Sequence, residues 1–172
     1  GSVLGLVLIS GFSVHRYFLG DIPKITSADQ VWTANRQPSM EIVDSSGQTI
    51  ALRGPRYGRR VPIDAIPAQV LQAFLAVEDA RFFEHGGVDF WAIARAVVEN
   101  VTAGQTVQGA STITQQLVKN VYLTSDQTFK RKLQEMILAS QIDQMLTKKQ
   151  ILEVYLNRIY FGQNAYGIDA AS

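Results

Sequence analysis

From residue 67 onward the sequence carries repeated helix-start signals, each followed by apolar residues at helical spacing. Thr112 and Gln115 match a capping box, in which each of two side chains bonds the other residue's backbone amide, and Thr147 and Gln150 repeat the pattern. Three further starts are predicted from single residues: Pro67, Asp89 and Thr128. These signals predict a mainly α fold with helices beginning at or near residues 67, 90, 112, 128 and 148.

Helical spacing also predicts which residues of each helix are buried. The helix beginning at 67 is predicted to bury Val70, Leu71, Phe74 and Val77. The helix at about 90–102 is predicted to bury Trp91, Ile93, Ala94, Val97 and Val98. Arg95 interrupts the second apolar run, and we therefore expect it to reach a polar cleft.

The first 60 residues follow different patterns. Two short strand-like segments, 40–44 and 48–53, flank a Gly-containing turn and predict a β-hairpin. Residues 3–14 are apolar and uncharged but shorter than the roughly 20 residues that span a bilayer. They could belong to a transmembrane helix, a buried core segment or a signal sequence. We predict a partial transmembrane or membrane-proximal segment at 1–20, a linker and hairpin at 21–60, and a helical domain at 61–172.

Composition excludes several kinds of site. The 172 residues are 47% hydrophobic and 18% charged, which is typical of a folded domain. The net charge of +1 gives no reason to expect nucleic acid as a partner. The chain has no cysteine, which excludes disulfides and a thiolate nucleophile, and its two histidines exclude a His-rich metal site.

Two glutamates are candidate functional groups. Glu78 and Asp79 fall at the end of a predicted helix, where the helix dipole disfavours negative charge, so a role in proton transfer competes with an exposed acidic pair. Glu135 follows Arg131 by four residues and Lys132 by three. That spacing fits either an ion pair on the helix surface or a carboxylate held in a cleft by the two cations. In the second case the cations would keep the carboxylate ionised, and it would act as a positioning or electrostatic group rather than as a proton donor.

Cations and hydrogen-bonding groups surround these glutamates in the sequence. Four cations are candidate holders of an anionic leaving group, although Lys and Arg usually lie in solvent: Arg95, Lys119, Arg131 and Lys132. Five polar side chains at a predicted helix start could bind sugar or phosphate, or could simply cap the helix: Ser111, Thr112, Thr114, Gln115 and Gln116. Residues 103–110 contain two glycines and predict a mobile lid.

Five segments, in order, resemble the family 51 peptidoglycan glycosyltransferase domain of class A penicillin-binding proteins and monofunctional transglycosylases. They are residues 78–89, 109–120, 131–135, 149–157 and 162–171. Ala110 stands where the second segment usually has glycine. The fifth segment is cut off after Ser172, so we expect the chain to be a fragment truncated at its C-terminus.

The resemblance implies a lysozyme-like helical fold and inverting polymerisation of lipid II, with undecaprenyl pyrophosphate leaving. It implies that Glu78 is the base on the acceptor 4-hydroxyl and that Glu135 is a second essential carboxylate on the growing-chain side. Substrate or pyrophosphate contacts are implied for Asp79, Arg95, Ser111, Thr112, Gln115, Gln116, Lys119, Arg131 and Lys132. Some members use a divalent cation, Mg²⁺ or Mn²⁺.

The implied partners are lipid II, the growing lipid-linked glycan chain, the membrane bilayer and other proteins of cell-wall synthesis. The implied location is the bacterial cell membrane, with the catalytic domain on the extracytoplasmic side. Two alternatives remain open: a muramidase-like lytic enzyme on a similar scaffold, which would need no pyrophosphate cradle, and a membrane-tethered binding module without activity.

Overall fold

The structure, a computed structural model, describes residues 15–104, 109–123, 126 and 128–172. Its helices are α1 (Ala28–Thr33), α2 (Ala68–Glu78), α3 (Phe90–Ala103), α4 (Ile113–Tyr122), α5 (Phe129–Met145), α6 (Lys148–Arg158) and α7 (Ile168–Ala171). Its strands are β1 (Met40–Val43), β2 (Thr49–Arg53), β3 (Arg56–Tyr57), β4 (Tyr160–Gly162) and β5 (Ala165–Tyr166). Residues 15–19 are also helical, and Ile63–Ala65 form a 3₁₀ turn. The predicted mainly α fold is confirmed.

The predicted helix starts are observed because they rest on local hydrogen bonds. Both capping boxes form, one at Thr112 and one at Thr147. The Asp89 carboxylate accepts a bond from the Ala92 amide at 2.9 Å, and the Thr128 hydroxyl accepts one from the Arg131 amide at 3.2 Å. These bonds satisfy amides that a helix N-terminus otherwise leaves unpaired.

The core is built where α4, α5 and α6 pack together. Buried aliphatic side chains from all three helices meet there: Ile113, Leu117, Val118 and Val121 of α4, Leu138 and Ile142 of α5, and Ile151, Leu152 and Leu156 of α6. Burying each such side chain contributes about 1.5–3 kcal/mol. This packing fixes the N-terminus of α4 against α5, and that junction carries most of the predicted polar groups.

The predicted hairpin is also confirmed. β1 and β2 pair antiparallel, with Met40 opposite Arg53, and the Asp44 carboxylate holds the turn through the amides of Ser46 and Gln48. A second sheet has the order β3-β5-β4, in which β3 pairs parallel to β5 and β4 antiparallel to it. This sheet ties the segment after the hairpin to the C-terminal end of the chain.

The predicted buried side of α3 is wrong in most positions. Trp91 is 80% exposed, and Ala94, Val97 and Val98 are exposed as well, whereas Ala96 is the buried residue of this helix. Val77 of α2 is likewise exposed. Helical periodicity identifies an apolar face but not what covers it, and in α3 no described residue covers most of that face.

Two other predictions fall partly on residues that the structure does not describe. The predicted membrane segment includes residues 1–14, and the predicted lid includes residues 105–108; both ranges lie outside the described residues. Among the helices that are described, none combines the length and apolar character needed to cross a bilayer.

Gly87 lies where the loop after α2 is in close contact with α5. A Cβ atom on this residue would lie 2.3 Å from the Ala139 carbonyl oxygen and 2.8 Å from the Ser140 amide nitrogen. Because both atoms are backbone, they cannot move aside as a flexible side chain would. The loop approaches the helix this closely only because residue 87 has no side chain.

Replacing Gly87 by alanine is therefore expected to lower the free energy of unfolding by about 3 kcal/mol, the upper end for overpacking. The measurement is chemical denaturation of the chain. Gly86→Ala is the matched control, since its Cβ would meet only the Asp143 carboxylate at 3.5 Å. Equal stability of the two variants would contradict the close approach.

Candidate active site

A cavity of about 500 Å³ opens where the C-terminus of α2, the first half of α3 and the segment before α4 meet. Its lining includes five residues predicted from the sequence to act in a site: Glu78, Asp79, Arg95, Ser111 and Thr112. The fold thus brings together groups that are up to 34 positions apart (112 − 78) in the sequence. Arg95 reaches this polar cavity, as expected from its interruption of the apolar run.

Glu78 is exposed at the end of α2. Its Oε2 atom accepts a hydrogen bond from Nε2 of Gln116 at 2.8 Å. Its other carboxylate oxygen has no hydrogen-bond partner among the described residues. One oxygen is therefore held in place while the second is available to accept a proton from a bound molecule.

In Asp79, by contrast, both carboxylate oxygens make hydrogen-bond contacts. Its Oδ2 atom accepts from the Ile113 amide at 3.1 Å, and its Oδ1 atom lies 2.8 Å from Nε2 of His85. Nδ1 of His85 faces the Gly86 carbonyl oxygen at 2.7 Å. Each ring nitrogen of His85 therefore faces an oxygen atom. Asp79 thus anchors the loop after α2 to the start of α4.

Asp89 supports the same loop from the α3 side. Its carboxylate accepts from Arg81 at 2.6 Å and from the Ala92 amide at 2.9 Å. Burial by itself raises the pKa of Asp89, but the Ala92 bond and the positive charges of Arg81 and His85 outweigh burial and hold that pKa below its usual value. The carboxylate is therefore ionised at neutral pH.

Glu135 is buried, with 2% of its surface exposed. Nη1 of Arg131 lies 3.2 Å from its Oε2 atom, and Nζ of Lys132 bonds its Oε1 atom. Lys132 also donates to the Ser111 hydroxyl at 2.9 Å. Ser111 lines the cavity and Glu135 does not. Lys132 thus connects the buried glutamate to the wall of the cavity that contains Glu78.

The remaining predicted groups lie along α4. Thr112 and Gln115 are buried and bond each other as the capping box, and the Thr112 hydroxyl also donates to the Gly87 carbonyl at 2.7 Å. Lys119 is exposed in the last turn of α4. Thr112 and Gln115 thus shape the start of α4, and their contact with substrate stays a prediction.

No role is predicted from the sequence for three residues of the site, although all three lie in the segments that carry the resemblance. Arg81 and His85 hold the loop after α2, and Tyr155 of α6 donates from its hydroxyl to Oε1 of Gln116 at 3.0 Å. The signal for Tyr155 was its place in an otherwise aliphatic stripe, because a buried tyrosine hydroxyl usually finds a partner.

Comparison with known proteins places this chain in a family. The transglycosylase family pattern matches residues 46–172, which is most of the chain. The chain therefore belongs to the transglycosylase family. The predicted class of enzyme, a peptidoglycan glycosyltransferase, is confirmed.

The chain is similar to penicillin-binding protein 1A of Neisseria cinerea, with 42% identity over 100% of this chain and 22% of the relative. It is 43% identical to penicillin-binding protein 1A of Escherichia coli K12, over 94% of this chain and 19% of that protein. It is 48% identical to penicillin-binding protein 1F of Bacillus subtilis 168, over 78% of this chain and 19% of that protein. The chain spans about a fifth of the length of these relatives.

Proposed function

We propose that this chain polymerises lipid II by a single inverting displacement, with Glu78 as the base. The Glu78 carboxylate takes the proton of the acceptor 4-hydroxyl as that oxygen forms a bond to the donor sugar's anomeric carbon. The bond from that carbon to the phosphate oxygen breaks, and undecaprenyl pyrophosphate leaves with the electron pair. The observation that carries the proposal is an exposed carboxylate with one held and one available oxygen, at a cavity whose lining also includes Arg81 and Arg95.

A pyrophosphate leaving group needs positive charge where its own negative charge develops. Arg95 and Arg81 line the cavity, and Lys132 lies behind Ser111 at its wall. Glu135 neutralises one of the two cations beside it, so Arg131, Lys132 and Glu135 together carry a net charge of +1 (2 − 1). In this proposal Glu135 holds the two cations in place on the growing-chain side and transfers no proton.

The test uses the full-length parent protein and purified lipid II. We expect lipid II to be consumed, glycan strands to appear and undecaprenyl pyrophosphate to be released. Degradation of finished glycan without consumption of lipid II would instead support the muramidase-like alternative. An absence of both reactions in a correctly folded parent would support the binding module.

The implied divalent cation does not find a ready set of protein ligands. Among the described residues, no group of three or more His, Cys, Asp or Glu side chains is placed to hold a metal. Both oxygens of Asp79 and of Asp89 already accept hydrogen bonds. This donor set does not fit a protein-held metal centre, and no step of the mechanism is assigned to one. Chelation with EDTA, followed by addition of Mg²⁺ or Mn²⁺, tests the expected cation directly.

The exposed side of α3 supports a membrane partner. Five of its apolar residues are more than half exposed, and we call them the α3 apolar face: Phe90, Trp91, Val97, Val98 and Val101. A contiguous exposed apolar surface marks an interaction site, and a helix that lies in the membrane interface buries such a face among lipid tails. We infer that this face contacts the bilayer at the extracytoplasmic side of the bacterial cell membrane. Partner proteins of cell-wall synthesis stay a prediction from the resemblance.

Replacing Trp91 and Val98 by glutamate is expected to weaken binding of the 172-residue chain to phosphatidylethanolamine/phosphatidylglycerol vesicles at least about tenfold, since apolar burial is lost and charge repels the lipid. Vesicle co-sedimentation measures this. The matched control replaces Val43 and Ile50 of the hairpin, also exposed, by glutamate. Equal loss in both double variants would show that only net charge matters and would contradict the α3 contact.

A further inference from the structure

Gln116 links the exposed carboxylate of the cavity to a buried tyrosine of the core. Its Nε2 atom donates to Oε2 of Glu78 at 2.8 Å, and its Oε1 atom accepts from the Tyr155 hydroxyl at 3.0 Å. Tyr155 is 2% exposed and lies on α6, whereas Gln116 lies in the first turn of α4 and Glu78 ends α2. Three helices thus contribute to one line of two hydrogen bonds that ends on Glu78.

We propose that Tyr155 is a positioning residue for the glycosyl transfer, because its hydroxyl fixes the orientation of the Gln116 amide and thereby the position of the Glu78 carboxylate. The inference rests on the proposed role of Glu78 as base. It assigns to Tyr155 no contact with substrate. Its action on the reaction passes entirely through Gln116.

The direction of each bond in this line follows from its end groups. An ionised carboxylate only accepts hydrogen bonds, so the amide nitrogen of Gln116 must face Glu78. The amide oxygen then faces Tyr155, and the hydroxyl must donate. Burial, together with the negative charges of Glu78 and Asp79, raises the pKa of Tyr155, so the hydroxyl keeps its proton over the whole working pH range.

The hydroxyl matters because an amide has two ends of similar shape. Without a donor at position 155, only the bond to Glu78 still fixes the orientation of the Gln116 amide, and reversal of the amide no longer breaks a second bond. In the reversed orientation Oε1 of Gln116 would face the carboxylate, two acceptors would oppose each other, and the protonated form of Glu78 would be favoured. A protonated glutamate cannot take the proton of the acceptor hydroxyl.

The test is Tyr155→Phe in the full-length parent, which removes one oxygen and keeps the ring. We expect kcat with lipid II to fall about tenfold, the effect of one well-placed hydrogen bond, while KM stays within about twofold. We expect the acidic limb of the kcat–pH profile to move to higher pH. An unchanged kcat, or a loss confined to KM, would overturn the proposal.

Tyr122→Phe is the matched control. This tyrosine lies at the end of α4, and its hydroxyl is buried without a hydrogen-bond partner among the described residues. The same substitution there should leave kcat and the pH profile unchanged. If Tyr122→Phe lowers kcat and moves the acidic limb as Tyr155→Phe does, the effect comes from loss of a buried hydroxyl in general, and the proposal is overturned.

A double variant shows whether Tyr155 acts through Gln116. Gln116→Met keeps side-chain length and removes the amide, and in this background Tyr155→Phe should cause no further loss of kcat. If the fold-loss of kcat in the double variant equals the product of the losses in the two single variants, the proposal that Tyr155 acts through Gln116 is overturned. Glu78→Gln, measured in parallel, separates this inference from the proposed function. If Glu78→Gln stays active, the assignment of Glu78 as the base fails. If Glu78→Gln is inactive and Tyr155→Phe is fully active, only the positioning role of Tyr155 fails.

Discussion

Replacing Glu78 by glutamine is expected to lower kcat for lipid II polymerisation about 10³-fold, within the range that general-base catalysis contributes. Glutamine keeps the length of the side chain and can still bond Gln116, but it cannot take the proton of the acceptor hydroxyl. Because the cations at the cavity are untouched, lipid II binding should stay within about twofold of the unsubstituted protein. Single-turnover kinetics and a separate binding measurement on the full-length parent distinguish the two quantities.

Glu84→Gln is the control for this loss. Glu84 is exposed in the loop between α2 and α3, only six positions from Glu78, and the same substitution there should leave kcat unchanged. Polymerisation by Glu78→Gln at a rate close to that of the unsubstituted protein would remove Glu78 as the base. A loss of binding that matches the loss of rate would make it a binding residue instead.

Replacing Glu135 by glutamine is expected to lower the free energy of unfolding by about 3 kcal/mol, the lower end for breaking a buried ion pair. The Arg131 side chain is 15% exposed and would be left without its negative partner. Lys132 is 39% exposed and regains part of its hydration, which is why we do not expect the upper end of the range. Polymerisation should fall too, because Lys132 would no longer be fixed beside Ser111. Denaturation and lipid II assays measure the two effects.

Glu153→Gln provides the comparison. Its partner Arg60 is 62% exposed, so solvent screens that pair and the substitution should cost clearly less stability than Glu135→Gln. Equal losses at the two positions would show that burial adds nothing to the Glu135 interaction. Full stability of Glu135→Gln would contradict the buried arrangement altogether.

The sequence predicted those parts of the fold that depend on neighbouring residues. The capping boxes at Thr112 and Thr147 and the turn at Asp44 are closed by bonds that span two to four residues, so the residue types alone identify them. Of the eleven site residues that the resemblance implies, five line the cavity and six do not, among them Lys119, Arg131 and Glu135. Glu78 ends α2 and Ser111 precedes α4, as the helix signals predict, and Arg95 reaches the cavity from α3.

Other features depend on tertiary contacts that no local pattern encodes. The spacing of Trp91 and Val98 predicted a buried face, but their exposure is decided by which helices pack on α3. The i, i+4 spacing of Arg131 and Glu135 is the same for a surface pair and a buried one, and only the packing of α5 shows that this pair is buried. Tyr155 looked like a core residue, and its bond to Gln116 joins positions 39 apart.

The proposed single displacement is tested most directly by the anomeric configuration of the glycosidic bond that the full-length parent forms from lipid II. NMR of the isolated glycan determines this configuration. A base acting on the acceptor in a single displacement predicts complete inversion at the donor's anomeric carbon. Retention of configuration would require two successive displacements and a covalent glycosyl intermediate. It would contradict the assignment of Glu78 as the base.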